Sequence, residues 1–210
     1  MKKTLGRASA TFVAAGMVAT LCGFAPATAH TPTDTDPTVI VIEAPMVVGG
    51  FDADVARANG YKIVTDANGE KRSVPVTAAA KAADAQLLAK QQAEGTVSPL
   101  ATVVTGDCGS SRIVIADGAG FRDAGISTSF TVNRPAVGYS WFVDITGNST
   151  STRRTFTGGL LSRTTWQHTF AHTVPAAGTY IASVARTSNA VLNNGTICFS
   201  GGPSDSDYIS

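Results

Sequence analysis

The feature that constrains the fold most is a two-residue alternation of apolar and polar side chains in the second half of the chain. Apolar residues occupy most of the alternate positions over 126–132, 137–145 and 166–174, with Thr128, His168 and His172 as the exceptions, and "PAAGTYIASVART" leads into a further run of the same kind. Successive side chains of a strand point to opposite faces of a sheet. Short alternating runs separated by Gly, Pro and Asn therefore predict an antiparallel sheet with one buried face.

The fold class that follows is mainly β. The turn "NRPAVG" separates the first two runs, which predicts two strands rather than one. The stretch from residue 98 to residue 210 is long enough for two sheets and a packed core. We therefore predict an antiparallel Ig-like β-sandwich over residues 98–210.

A small unit with a helix and a β-hairpin is predicted over residues 51–76. Asp52 is a suitable N-cap for a short helix over 53–58. Asn68-Gly69 lies between two apolar runs and is typical of a hairpin turn, because both residues tolerate a positive φ.

An Ala-rich helical linker is predicted over residues 77–97, with Thr77 as its N-cap. Leu87 and Leu88 are its only large apolar residues. A helix with so little apolar surface buries little, and we expect it to act as a spacer or a loosely docked arm.

The start of the chain has the composition of a bacterial secretory signal peptide over residues 1–29. Three basic residues precede an apolar stretch, and small residues that end at Ala29 provide the cleavage site. We expect cleavage after Ala29 and an extracellular protein. A lipoprotein with Cys22 as the lipidated residue is the alternative, but Leu21 stands where such signals have Gly, Ala or Ser.

After the signal peptide, residues 30–50 are rich in Thr, Pro and Asp and are predicted to form a disordered tail. Within this tail, "TVIVIEAP" could form one strand or pack as an extended segment between its flanking prolines.

The charge of the exported chain excludes some classes of partner. From residue 30 onward, 13 Lys and Arg side chains stand against 15 Asp and Glu, a formal net charge of about −2. This balance lacks the excess of positive charge that is typical of proteins that bind nucleic acid. After the leader, the sequence also lacks an apolar run long enough to span a membrane.

Cys108 stands in "TGDCGSS", which resembles the nucleophile loop of chymotrypsin-like proteases and of viral cysteine proteases with that fold. A catalytic thiolate needs a histidine base, which precedes the nucleophile in that fold. Only His30 precedes Cys108, and an exported chain with two remaining cysteines favours a disulfide. We predict a Cys108–Cys198 disulfide and no catalytic residue.

Neither a metal site nor a cofactor site is predicted. His168 and His172 have the spacing of two zinc ligands on a helix, but they fall on a predicted strand. There, four residues separate them by about 13 Å, too far for two ligands of one zinc ion. The exported chain also has no glycine-rich loop that opens a helix, so nucleotide binding has no support.

Carbohydrate binding is the best-supported binding hypothesis, since a β-sandwich can present aromatic rings on an exposed face. Trp141 and Trp166 fall on the apolar faces of their strands, which favours core packing for both. Phe142 points the opposite way from Trp141 and is the best candidate for an exposed aromatic residue.

The quoted stretches "GDCGSS", "GYSWFVDI", "GTYIASV" and "TICFSGGPSD", with the preceding "GFDADVARANGYKIVTDANG", resemble small secreted proteins of actinobacteria over most of residues 50–207. The resemblance implies secretion and a β-domain closed by a disulfide, and it supplies no catalytic residue. "GTY" is also similar to Ig-like and PKD-like domains, although the Cys-Trp-Cys spacing departs from that of immunoglobulin domains.

The sequence thus favours a secreted, non-enzymatic recognition or envelope-associated binding module. Its partner would be a cell-wall or extracellular polysaccharide, or a secreted protein. Two alternatives stay open: a disulfide-stabilised protease inhibitor, and a secreted hydrolase. The hydrolase would use Cys108 or a pair drawn from the acids of the domain, Asp107, Asp117, Asp123, Asp144, Asp205 and Asp207.

Overall fold

A computed structural model describes residues 42–94 and 106–210. The predicted signal peptide with Cys22 and Ala29, the first part of the predicted tail, and the stretch 95–105 lie outside the described residues. The elements of the described residues are β1 (Ile42–Phe51), α1 (Ala53–Ala58), β2 (Tyr61–Thr65), β3 (Lys71–Pro75), α2 (Ala78–Glu94), β4 (Gly109–Asp117), β5 (Asp123–Gly147), β6 (Thr150–Thr173), β7 (Gly178–Val184), β8 (Asn189–Leu192), β9 (Thr196–Ser200) and β10 (Ser204–Ile209). The fold is mainly β, as predicted.

Five strands close into a barrel in the order β5-β4-β1-β9-β8, with β8 pairing back onto β5. All five neighbouring pairs are antiparallel. Most of the alternating apolar residues of 126–132 and 137–145 are buried in the core, whereas Trp166 and Phe170 are half-buried and pack against this core. Its largest fully buried side chains include Phe130, Trp141, Met46, Ile113 and Ile126.

The Ig-like sandwich is not confirmed, and the reason lies in β5. The sequence predicts a turn at "NRPAVG", but Asn133 to Gly138 lie inside one strand that runs from Asp123 to Gly147. Its first half pairs with β4, its middle with β8 and its last part with β7. A single long strand therefore connects regions that a sandwich would divide between two sheets, and the sheet closes on itself.

Strand β1 differs from the sequence-based expectation. The sequence predicts a disordered tail over 30–50 in which "TVIVIEAP" could form one strand, and Ile42–Phe51 forms a strand between β4 and β9 that extends beyond that stretch. Pro45 stands one residue before the pairing with β9 begins at Met46, a position at which a strand tolerates proline. Met46 is completely buried, so this segment contributes to the core.

The predicted disulfide between Cys108 and Cys198 is present and holds β1 in place. The two Cα atoms lie 5.8 Å apart, and both residues are buried. Cys198 lies in β9 opposite Val48, while the backbone N–H of Cys108 donates to the Met46 carbonyl. The bridge therefore links the two chain segments that flank β1.

Beyond the end of β1, side chains rather than backbone complete the edge of β4. The carboxylates of Asp205 and Asp207, both in β10, accept hydrogen bonds from the backbone N–H groups of Ile115 and Asp117 at 3.0 and 2.9 Å. β10 itself pairs with β7, which pairs with β5. These contacts satisfy donors that would otherwise lack a partner at a sheet edge.

The small N-terminal elements confirm the local sequence signals. Asp52 caps α1 by accepting hydrogen bonds from the N–H groups of Asp54 and Val55. Strands β2 and β3 form the predicted hairpin, and Gly69 in its turn has a φ of +84°. Thr77 caps α2 through a hydrogen bond from Ala80.

An ion pair links helix α2, predicted to be a spacer or a loosely docked arm, to the barrel. Asp84 accepts hydrogen bonds from the Arg134 guanidinium in β5 and from the Tyr61 hydroxyl in β2, the latter at 2.7 Å. Burial and the Asp84 carboxylate raise the pKa of Tyr61 to about 12, so the hydroxyl stays a donor at neutral pH. Although burial acts to raise the pKa of Asp84, hydrogen bonds from Arg134 and Tyr61 lower it overall.

Among the described residues, no helix is long and apolar enough to span a membrane.

Removal of the disulfide tests its role in holding the barrel together. The bridge closes a sequence separation of 90 residues. In the loop-entropy model, its loss lowers the free energy of unfolding by about 4–5 kcal/mol. We expect a decrease of this order in urea denaturation of the Cys108→Ala/Cys198→Ala double variant.

The wild type treated with a reducing agent provides the control, since it should lose the same stability, while the double variant should not respond to the reductant. A loss below about 1 kcal/mol, the size of an ordinary surface effect, would contradict a structural role for the bridge.

Replacement of Asp84 by Asn tests the anchoring of α2. We expect the free energy of unfolding at pH 7 to fall by about 1–2 kcal/mol, because charge-assisted hydrogen bonds to Arg134 and Tyr61 are lost. Since the folded state lowers the pKa of Asp84, its contribution is present at neutral pH and is lost as the pH falls through that lowered pKa. The difference between the two proteins, measured by urea denaturation from pH 7 to pH 3, should therefore shrink on acidification; a constant difference would contradict the ion pair.

Candidate functional site

The ribbon formed by β5 and β6 is bent about half-way along, and each strand contributes to the bend. In β5, the register with β6 shifts between Thr131 and Ala136. In β6, Leu161 and Ser162 adopt positive φ values of 46° and 64°, which side chains other than glycine take up only where the surrounding structure imposes them. The two irregularities lie at the same level, because Ala136 pairs with Arg163.

The bend brings the two halves of β6 into contact. The ring of Phe156 lies 5.7 Å from that of Trp166, 4.7 Å from that of His168 and 5.4 Å from that of Phe170, measured between ring centroids. In a straight strand, 14 residues would separate Phe156 from Phe170 by about 46 Å. These contacts therefore exist only because the ribbon folds back on itself.

We call the resulting surface the aromatic face, and it consists of Tyr139, Phe156, Trp166, His168 and Phe170. The ring of Tyr139 lies 4.8 Å from that of Trp166, and His168 lies 6.1 Å from Trp166 on the other side. His168 is exposed and the other four residues are half-buried. A contiguous row of partly exposed rings is thus presented along the strand at the edge of the sheet.

The aromatic face is held rigidly from below by the core. Phe130 packs against Trp166 at 5.7 Å and against Trp141 at 4.8 Å. Trp141 is completely buried, and its indole N–H donates to the Thr128 hydroxyl at 2.9 Å. Because these inner rings are fixed by packing and by a hydrogen bond, the exposed rings are preorganised.

A cleft of about 430 Å³ opens at one end of the aromatic face. Its lining residues are Tyr139, Gly159, Leu160, Leu161, Arg163, Thr165, Trp166 and Gln167. The lining combines two aromatic rings with an amide, a hydroxyl and a guanidinium, which is the usual composition of a small-ligand site.

Glycine keeps this cleft open. Gly158 pairs with Tyr139 across the ribbon, and a Cβ atom at position 158 would lie 3.3 Å from the Tyr139 ring. Gly159 follows it in the cleft wall. Leu161, in the strained turn of β6, is 89% exposed and forms an apolar rim.

The opposite end of the aromatic face carries a histidine with a shifted pKa. Burial lowers the pKa of His172 below its usual value, and the positive charge of Arg154 lowers it further, while the carboxylate of Asp123 acts in the other direction. His172 is therefore neutral at neutral pH.

The structure does not separate Phe142, the sequence-based choice of exposed aromatic residue, from Trp166 by burial, since both are half-buried. Phe142 is half-buried, and the Arg153 guanidinium lies 5.6 Å from its ring centroid. Arg153 is itself held there by two hydrogen bonds of 2.7 Å to the Asp144 carboxylate. A guanidinium thus lies against the Phe142 ring, while Trp166, predicted as a core residue, packs against the core and also lines the cleft.

The residues considered for catalysis have structural partners. Cys108 is in the disulfide and offers no thiolate. Of the candidate acids, Asp205 and Asp207 complete the edge of β4, and Asp144 binds Arg153. Asp117 accepts hydrogen bonds from the hydroxyl and the backbone N–H of the C-terminal Ser210, which lower its pKa.

The remaining two acids are not gathered into a pair either. Asp107 accepts a hydrogen bond of 3.4 Å from the Val48 N–H, and Asp123 lies near His172 at the end of the ribbon. Within residues 42–94 and 106–210, no group of His, Cys, Asp and Glu has the arrangement of a metal site. His168 and His172 both lie on β6, as predicted.

A second cleft, of about 560 Å³, lies between α2 and the barrel. Its lining, drawn from the described residues, contains no aromatic side chain and consists of Glu43, Leu87, Lys90, Gln91, Gly106, Gly109, Ser110, Thr131, Val132, Asn133 and Thr164. This second cleft has no apolar ring surface with polar groups around it. The aromatic face is therefore the stronger candidate for a ligand-binding site.

The chain matches no protein-family model, no curated protein and no solved structure.

Sequence reasoning missed most residues of the cleft. The alternation places Tyr139 on the same face of its strand as Trp141, and this is the one signal in the sequence that relates to the cleft. It does not distinguish the partly exposed Tyr139 from the buried Trp141. Phe156 and Arg163 fall in a stretch without clear alternation, and their approach to Trp166 depends on the bend in β6.

The pKa of His172 provides a test of the bent ribbon. Replacement of Arg154 by Gln should raise the pKa of His172, because a nearby positive charge is removed while the burial stays the same. An NMR titration of the three histidine rings measures this, with Arg72→Gln in the distant β3 strand as the matched control. An unchanged pKa in Arg154→Gln would show that the two halves of β6 do not approach each other.

Proposed function

We propose that the protein is a secreted, non-enzymatic recognition module that binds polysaccharide through the aromatic face. The observation that carries this proposal is the combination of contiguous, half-exposed rings with polar side chains at one cleft.

The chemistry of sugars fits such a surface. A pyranose ring has an apolar face of C–H groups and a polar rim of hydroxyl groups. Aromatic rings such as Tyr139 and Trp166 cover the apolar face and remove it from water. The side chains of Gln167, Thr165 and Arg163 line the same cleft and offer hydrogen-bond partners to the rim.

The shape of the aromatic face favours an extended ligand. The rings follow β6 from Trp166 to Phe170, and strand residues advance by about 3.3 Å each. Successive sugar units of a polysaccharide can therefore contact successive rings. A monosaccharide would contact one ring and would not use the row.

A binding role agrees better with the acids and the cysteines than a hydrolytic role does. Cys108 is cross-linked, and the carboxylates of Asp117, Asp205 and Asp207 are engaged with backbone groups. A disulfide is typical of proteins in oxidising surroundings, which supports export to the outside of the cell. Secretion and a relationship with small actinobacterial secreted proteins are part of this proposal.

Replacement of Trp166 by Ala tests the proposal directly. We expect retention of the protein on insoluble polysaccharides, cell-wall material among them, to weaken by about tenfold. One ring face covers apolar surface worth on the order of 1.4 kcal/mol, and that energy is a factor of ten in affinity. Binding isotherms on the washed polysaccharide measure the change.

Phe121→Ala is the matched control, since Phe121 is an aromatic residue that is 80% exposed and lies outside the aromatic face. It should bind like the wild type. Equal losses in both variants would indicate nonspecific adsorption, and no binding of the wild type to any polysaccharide would overturn the proposal. Stronger binding of single-stranded oligonucleotides to the aromatic face would replace it with a different function.

A further inference from the structure

The strand that carries most of the aromatic face has charged side chains of one sign only. Between Asp144 and Asp205 the sequence has four arginines and no carboxylate side chain. This stretch contains all of β6, with Arg153, Arg154 and Arg163. The chain as a whole is close to neutral, so the excess of positive charge is a local property of β6, whereas the adjacent β5 carries Asp123 and Asp144 beside Arg134.

Arg163 is the charged residue of the cleft lining. In the part of the chain that the structure describes, Arg153 is paired with Asp144, whereas Arg163 forms no ion pair. Its neighbours in the lining are neutral, and its side chain is exposed. A guanidinium in this position can form two parallel hydrogen bonds to a carboxylate or a phosphate.

The position of Arg163 relative to the rings matters as much as its charge. It follows Leu161 and Ser162, whose left-handed conformations place it at the bend, and it precedes Trp166 by three residues. The same cleft therefore offers an aromatic platform for a sugar ring and a cation for a group attached to that ring.

We infer that the ligand is an acidic polysaccharide, with the face of a sugar on Tyr139 and Trp166 and its anionic substituent on Arg163. The inference rests on the proposed function and names the class of its ligand. Arg163 selects acidic over neutral sugars, because a neutral unit leaves the guanidinium without a charged partner.

Two pairs of probes test the inference and distinguish the source of the negative charge. The first pair is polygalacturonate and its fully methyl-esterified form, which differ by the carboxylate alone. The second pair is phosphomannan and unphosphorylated mannan. Binding of the full secreted chain to each probe is measured by isothermal titration calorimetry at low salt.

We expect the acidic member of at least one pair to bind about tenfold more tightly than its neutral partner. The pair that shows this preference identifies the anionic group. Because the ion pair is exposed, the preference should decrease as the salt concentration is raised to about 0.5 M.

Arg163→Gln should reduce the preference to within about twofold while binding of the neutral probe is kept. Arg163→Lys should retain part of the preference. Lysine keeps the positive charge but lacks the planar guanidinium that can form two parallel hydrogen bonds. Arg72→Gln, an exposed arginine of β3, is the control and should leave the preference unchanged. Equal thermal unfolding midpoints of the variants would exclude misfolding as the cause.

The outcomes separate this inference from the proposed function. Equal binding of acidic and neutral probes, or a preference that persists in Arg163→Gln, would overturn the inference and leave a polysaccharide-binding role in place if Trp166→Ala still weakens binding. Absence of binding to every probe would overturn both.

Discussion

The continuous pairing of β5 with β6 is the constraint on which the rest of the structure depends. One edge of β5 pairs with β6 between Asp123 and Gly147. Its other edge pairs with β4, then with β8 and then with β7. Closure of the barrel requires this strand to bend, and β6 follows it because the two strands pair on both sides of the register shift between Thr131 and Ala136. The bend that closes the barrel therefore also folds β6 onto itself and gathers the rings of Phe156, Trp166 and Phe170. In this account, core formation and the binding surface have one physical origin.

The disulfide and the side-chain bonds of β10 stabilise the ends of that arrangement. Cys108 and Cys198 fix the two segments that flank β1, and Asp205 and Asp207 complete the edge of β4 where β1 ends. The bridge adds a covalent link between segments that also pair with β1 through their backbone, whereas the two carboxylates take the place of backbone partners of β4. They also explain why these cysteines and acids are unsuited to catalysis.

The sequence predicts those features that depend on neighbouring residues. The cap of α1 by Asp52, the turn at Asn68-Gly69 and the alternation of β7 are local, and the structure confirms them.

Closure of the barrel is not local. The segment Ile42–Phe51 has a composition that suggests a tail, and it becomes a strand because β4 and β9 lie on either side of it. Likewise, "NRPAVG" has the residues of a turn, but pairing with β6 and β8 on both sides carries the strand through it. The place of Trp166 in the cleft was missed for the same reason, since it depends on the bend.

The central claim, that the aromatic face receives the ligand, is tested most directly by mapping the bound surface in solution. The chain has two tryptophans, so their indole N–H signals are readily separated in a ¹⁵N-labelled sample titrated with oligosaccharides of polygalacturonate. We expect the signals of the Trp166 indole and of the Gly159 and Gln167 amides to shift, while the signal of the buried Trp141 indole, which is bonded to Thr128, changes little. Shifts concentrated on α2 and the second cleft, with the Trp166 signals unmoved, would contradict it.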